Sequence, residues 1–225
     1  MKKLVAALLL FSFFFACEHS INAPAAAAAS PESKQASGKP DSSFHNADII
    51  FQTSKSQQSV AIQLATHSRY SHCGILFRDN GKWYAYEAIQ PVSKTPLTEW
   101  INRDEGHNYV VKRLKNDSVL NDTAIAKMRR WINGSLGKEY DIAFDWTDEK
   151  LYCSEFVWKT YFNATGLELG QTKPLGDYDL STPAVKMQLK KRYGNTIPLN
   201  EAMISPGAIY DSELLVTVHN SQEGR

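Results

Sequence analysis

The dipeptide Asn80-Gly81 constrains this chain more than any other feature of its sequence. It lies between two runs of strand type, 71–77 and 82–89, the second rich in Trp and Tyr. Asn and Gly tolerate the two positive φ angles of a type I′ turn, the turn that matches the twist of a tight hairpin. A regular two-residue turn then fixes the register. His72 faces Ile89, Gly74 faces Glu87, and Glu87 lies diagonal to His72 on one sheet face, within reach of a long side chain. A bulge would reverse that parity. Cys73, next along the strand, points to the opposite face from His72 and is expected in the core.

Around this hairpin the pattern is mixed. Residues 46–52 read as a turn entering a short buried strand, 54–59 as a loop, and 60–66 as a short helix or irregular turn. A third strand is expected over 109–114 and a last one over 214–218. Residues 121–136 read as an amphipathic helix with Ile125, Met128, Ile132 and Leu136 on its apolar stripe, ended by Gly137. Residues 153–164 read as a second helix, apolar on most sides and therefore central, with Gly166 as its stop. Strands, then helices, then a mixed tail favour an α+β architecture over alternating α/β.

The first residues carry an address. Lys2 and Lys3 precede an apolar run over 4–16 that suits a signal peptide and is too short to span a bilayer. Phe14-Phe15-Ala16-Cys17 resembles a bacterial lipobox, although Phe14 stands where Leu is usual. The reading is a signal peptide over 1–16 and a lipidated Cys17. The alternative is an ordinary signal cut among Ala23 to Ala29. Glu18 after Cys17, rather than Asp, favours sorting to the outer membrane, facing the periplasm; without lipidation the product is soluble in the periplasm or secreted. Residues 18–43 are rich in Ala, Ser, Pro and Lys, with Ile21 as the single large aliphatic. They bury too little to offset the entropy of ordering, so 17–44 is expected to be a tether and 45–225 the folded domain. A random coil of that length spans roughly 25–30 Å.

Composition excludes several classes. The 25 basic and 24 acidic residues give a net charge of +1, without the concentrated basic face that nucleic acid requires. Three cysteines cannot build a disulfide scaffold or a paired-cysteine zinc ribbon. No cofactor motif occurs, and the sequence leaves the oligomeric state open.

Three residues carry chemistry. Cys153 opens a helix, where unpaired backbone N–H groups and the helix dipole favour a thiolate; the plainer reading is a buried inert thiol. His72 is the candidate base, and a histidine in that role needs a third group on its other ring nitrogen. The hairpin register offers Glu87. Rival readings are a hydrogen-bonded structural histidine with a solvent-facing glutamate, a Cys73–Cys153 disulfide, and a metal site from His67, His72 and Cys73. The disulfide is disfavoured because the two thiols are expected on opposite sides of the strand layer. The metal site lacks a zinc spacing and a fourth ligand. His107 is expected in a solvated loop, and His19 and His45 in or beside the tether.

The segments 46–51, 70–75, 86–88, 137–141 and 152–157, in that order, resemble the YiiX/YaeF-like permuted papain-like family of the NlpC-like superfamily. The likeness extends more loosely to 206–210. It implies a circularly permuted papain-like fold, with an antiparallel sheet or small barrel packed against the helix that carries the cysteine. It implies Cys153 as nucleophile, His72 as general base and Glu87 as orienting acid, with no cofactor. The backbone N–H of Cys153 and one more donor would hold the oxyanion; Gln52 and Tyr70 are the candidates. The family usually opens its first strand with Gly-Asp, where this chain has Ala47-Asp48. The wider superfamily cuts peptidoglycan stem peptides, and its permuted branches include amidases and lipid-acting acyltransferases. The expected substrates are cell-envelope peptides or N-acylated amino acids, with lipid acyl groups second and a non-catalytic envelope-binding lipoprotein third.

Overall fold

The hairpin forms at the register the turn dictates. Asn80 and Gly81 both take positive φ, 49° and 80°, and Ile75 pairs with Tyr86 and Asp79 with Lys82. The structure, a computed structural model, describes residues 43–104 and 106–223; the signal peptide, Cys17 and the tether up to residue 42 lie outside the described residues. In chain order the elements are β1 (Ile49–Gln52), α1 (Gln57–Thr66), β2 (His72–Asp79), β3 (Lys82–Glu87), β4 (Ser93–Pro96), α2 (Leu97–Ile101) and β5 (Val110–Leu114). There follow α3 (Asp122–Ser135), α4 (Cys153–Thr165), β6 (Lys173–Pro174), α5 (Pro183–Tyr193), β7 (Ala202–Met203), α6 (Pro206–Tyr210) and β8 (Leu215–Asn220). The architecture is α+β. Six strands form one antiparallel sheet in the order β4-β3-β2-β1-β5-β8, and β6 pairs with β7 apart from it.

Strand alternation divides the sheet into two apolar faces. Ile49, Phe51, Cys73, Ile75 and Phe77 join Phe156, Val157 and Tyr161 of α4 in the main core. Ile50, Leu76, Ala85 and Val111 face a smaller cluster with Leu97 and Trp100 of α2. Phe156, Val157 and Tyr161 are all fully buried, each worth roughly 2 kcal/mol in apolar area removed from water. That burial fixes α4 on the sheet, and with it the position of Cys153.

Three local findings differ from the sequence reading. Residues 57–59, expected in a loop, start α1, capped by Ser56. The stripe on α3 holds at Met128 and Ile132, which are buried, and at Ile125, which packs half-buried on the core; Ala124 and Ser135 join it, while Leu136 lies past the helix end and is 38% exposed. Phe44, placed in the tether by the sequence reading, packs edge-on against Trp83 and His219. Ala47 stands where a glycine would be easier: its φ is 73°, a left-handed conformation that costs a residue with a Cβ roughly 1–2 kcal/mol. Asp48 beside it is buried and held by the Arg113 guanidinium at 2.7 and 2.8 Å, which ties β1 to β5. Among the described residues no helix is long and apolar enough to cross a membrane.

Candidate active site

His72 is the first residue of β2 and Glu87 the last of β3, so both stand at one end of the hairpin. Gly74 separates them. A Cβ there would lie 2.9 Å from the Tyr86 carbonyl oxygen and 3.3 Å from the Glu87 Cβ, so only glycine lets the two strands close. His72 Nε2 then meets Glu87 Oε2 at 2.5 Å. The carboxylate is fully buried and heavily partnered. Thr95 Oγ1 donates to it at 2.6 Å, Trp100 Nε1 at 2.9 Å, and Arg103 Nη1 lies 2.7 and 2.9 Å from its two oxygens. The Trp100 ring stacks on the imidazole at 6.0 Å. The sequence reading missed Thr95, Trp100 and Arg103, whose short polar segments carry no periodic signal.

With Nε2 engaged by Glu87, the other ring nitrogen of His72 is left for the Cys153 thiol, which lies close enough to act on the charge of the ring. Cys153 is the first residue of α4, after the extended Tyr152, whose N–H donates to Glu155 Oε2 at 3.3 Å. His72 and Glu87 lie toward the smaller cluster and Cys153 in the main core. They meet because His72 stands at the end of its strand.

Cys73 corrects an expectation. It does point away from the His72 face and is fully buried, but α4 covers that same face. Its thiol lies close enough to Cys153 to act on that group's ionisation, instead of lying across the strand layer from it, and both cysteines are free.

These contacts polarise the site. The hydrogen bond from Cys73 pulls the Cys153 thiol well below its ordinary pKa; burial opposes this, and the His72 imidazolium reinforces it. Burial also opposes charge on His72, but its bonds to Cys153 and Glu87 prevail and push it up to about 10. Burial raises the Glu87 carboxyl, and His72, Thr95 and Arg103 together outweigh that and hold it low. Cys73 is pushed well up by burial and by the bond it gives to Cys153. These directions together favour a thiolate on Cys153 and an imidazolium on His72. Iodoacetamide is therefore expected to label Cys153 at pH 6 while sparing Cys73, because only the thiolate is nucleophilic. Peptide mapping by mass spectrometry reads this directly, and equal labelling of the two contradicts it.

Cys153 also lines a cleft that encloses about 710 Å³ when its open mouth is counted. Its walls are almost wholly apolar, from α1, α5 and the segment 203–206. Gln52 and Tyr70, the expected oxyanion donors, are not in it: Gln52 Oε1 is buried without a partner, and the Tyr70 ring packs on Tyr210 at 4.1 Å. Gln58 and Tyr140 do line it, and Gln58 Nε2 donates to the Tyr140 hydroxyl at 3.1 Å. Tyr140 sits in the 137–141 segment, so its position was marked in the sequence without a role. The metal alternative has no support in the geometry. His67 faces Asp179 at 3.4 Å while His72 faces Glu87, and among the described residues no three His, Cys, Asp or Glu side chains stand together as ligands. His107, expected to be solvated, has a buried Nδ1.

Comparison with known proteins bears on the family and the fold. Residues 43–219 match the model of a family described as permuted papain-like amidase enzyme, YaeF/YiiX, C92 family. The uncharacterized protein YiiX of Escherichia coli strain K12 is 48% identical over 171 residues, which is 76% of this chain and 84% of that one. A crystal structure of yiiX from Escherichia coli O157:H7, described as a metalloprotein, superposes with a TM-score of 0.74 at 47% identity. It covers 78% of this chain and 97% of its own.

Proposed function

The chain belongs to the permuted papain-like amidase family, YaeF/YiiX, and on that premise we propose that it is a cysteine-dependent amidase that cleaves N-acylated amino acids or acylated cell-envelope peptides through an acyl-enzyme. The observation that carries this reading is the Cys153 thiol, at the start of its helix, opening onto an apolar cleft. Such a cleft suits an acyl chain better than a bare peptide. The Cys153 thiolate attacks the amide carbonyl, and the His72 imidazolium gives its proton to the departing amine. Neutral His72 then takes a proton from water, which releases the acid. Glu87 orients the ring and offsets its charge, as the third member of a triad does. The Cys153 N–H at the helix start and the Tyr140 hydroxyl are the proposed oxyanion donors. Tyr140 accepts from Gln58 and so keeps its own proton for the substrate oxygen.

The E. coli relative is described as a metalloprotein; among the described residues of this chain no three His, Cys, Asp or Glu side chains stand together as ligands, and the proposed steps use no metal. In this reading the chain is exported, cut before Cys17 and lipidated there, and works at the periplasmic face of the outer membrane. The apolar walls also favour a second reading, acyl hydrolysis or transfer on a lipid ester.

The test incubates the full chain with N-octanoylglycine, with peptidoglycan stem peptides and with phospholipid, and follows products by mass spectrometry. Octanoate and glycine are expected from the native chain and not from Cys153→Ala. Cys153-dependent change in phospholipid alone favours the second reading. No Cys153-dependent change in any substrate rejects both and leaves a binding protein.

A further inference from the structure

The cleft is apolar except at one place. Helix α5 turns Val185, Gln188, Leu189 and Arg192 toward it, the spacing of a single helical face. Apart from the Cys153 thiolate, Arg192 is the one lining side chain with a formal charge at pH 7. Its guanidinium lies 3.8 Å from the centroid of the Phe144 ring and close to the hydroxyl of the neighbouring Tyr193. Both partners are neutral. Among the described residues no carboxylate stands within ion-pair distance of it. The other half-buried arginines, Arg103, Arg113 and Arg129, are each matched by an acid.

A guanidinium held against an aromatic face in an apolar recess is short of a counter-charge, since burial costs a charge its hydration. Its planar fork fits a carboxylate through two parallel hydrogen bonds. Phe144 keeps the side chain from swinging freely into water, and the apolar walls exclude competing solvent anions.

We propose that Arg192 selects the substrate by binding a free carboxylate, so that the preferred ligand is an acyl amide with an ionised acid group rather than a neutral amide or ester. The proposal rests on the acyl-amide reading of the cleft and narrows it. The substrate class becomes N-acyl amino acids with the α-carboxylate intact. The apolar chain lies along α1 and α5, the amide carbonyl at Cys153 and the acid at Arg192.

Binding to the full chain carrying Cys153→Ala, which removes turnover, separates the two ideas. By calorimetry, N-octanoylglycine is expected to bind about 10- to 100-fold more tightly than the uncharged N-octanoylglycinamide, the range of one charged hydrogen-bonded contact. Arg192→Gln is expected to abolish that preference and to leave glycinamide affinity unchanged, which also shows that the variant is folded. Arg192→Lys retains part of it, having charge without the fork. Equal binding of the two ligands overturns the role of Arg192 and leaves the acyl cleft standing, as does a preference that survives Arg192→Gln. Failure of both ligands to bind rejects the cleft reading and this one together.

Discussion

His72→Ala is expected to lower kcat/KM on an N-acyl amino acid by about 1,000- to 10,000-fold, the upper range for losing a general acid–base group. One ring serves both halves of the reaction. In acylation it keeps the sulfur ionised and protonates the leaving amine; in deacylation it activates water. Without the imidazolium, burial pulls the Cys153 thiol back up, opposed by the hydrogen bond from Cys73. The iodoacetamide profile should follow. In the native chain reactivity begins at low pH, because the Cys153 pKa is depressed, and the ion pair lasts until His72 deprotonates near pH 10. In His72→Ala the rise moves to higher pH. Because the two residues act as one unit, Cys153→Ala with His72→Ala should be no worse than Cys153→Ala alone. More than a tenth of native activity in His72→Ala would remove the imidazole from the mechanism.

The parts of the site that sequence made legible are those set by short-range rules. A two-residue turn determines a ladder, and the ladder brings Gly74 against Glu87. The helix start at Cys153 was readable because Phe156, Val157 and Tyr161 demand a buried helix directly after it. What sequence left open depends on which element covers which face. Alternation placed Cys73 opposite His72 correctly. Nothing in the alternation says that α4 packs on the Cys73 side, so the contact between the two thiols was hidden. The same holds for β4 and α2. Ser93–Pro96 and Leu97–Ile101 are too short for either period to show. Their roles come from tertiary approach, with Thr95 and Trp100 meeting a carboxylate on a neighbouring strand. Helix α5 was obscured by composition: Lys186, Gln188, Lys190, Lys191 and Arg192 mask a core face of only Val185 and Leu189.

Glu87 should prove as important to the fold as to catalysis, and Glu87→Ala is expected to cost about 3–5 kcal/mol, as when one partner of a buried charge pair is removed. For a domain of this size that lowers Tm by about 6–20 °C. The cause is what remains behind. Arg103 and the His72 imidazolium lose their counter-charge, and Trp100 Nε1–H and Thr95 Oγ1–H lose their acceptor in a buried site. Glu87→Gln keeps an acceptor oxygen and should cost less, while depriving His72 of the charge that helps hold its proton. The pH dependence has a definite sign. The folded carboxyl titrates below its ordinary value of 4.5, so its contribution is present above that pH and is lost as pH falls through the folded value. The gap in Tm between native chain and Glu87→Ala should therefore be widest near neutrality and narrow steadily in acid below pH 4.5. Thermal unfolding followed by circular dichroism across that range measures it. An unchanged Tm at pH 7 would show Glu87 to be an orienting group alone, with the buried network around it carrying no stability.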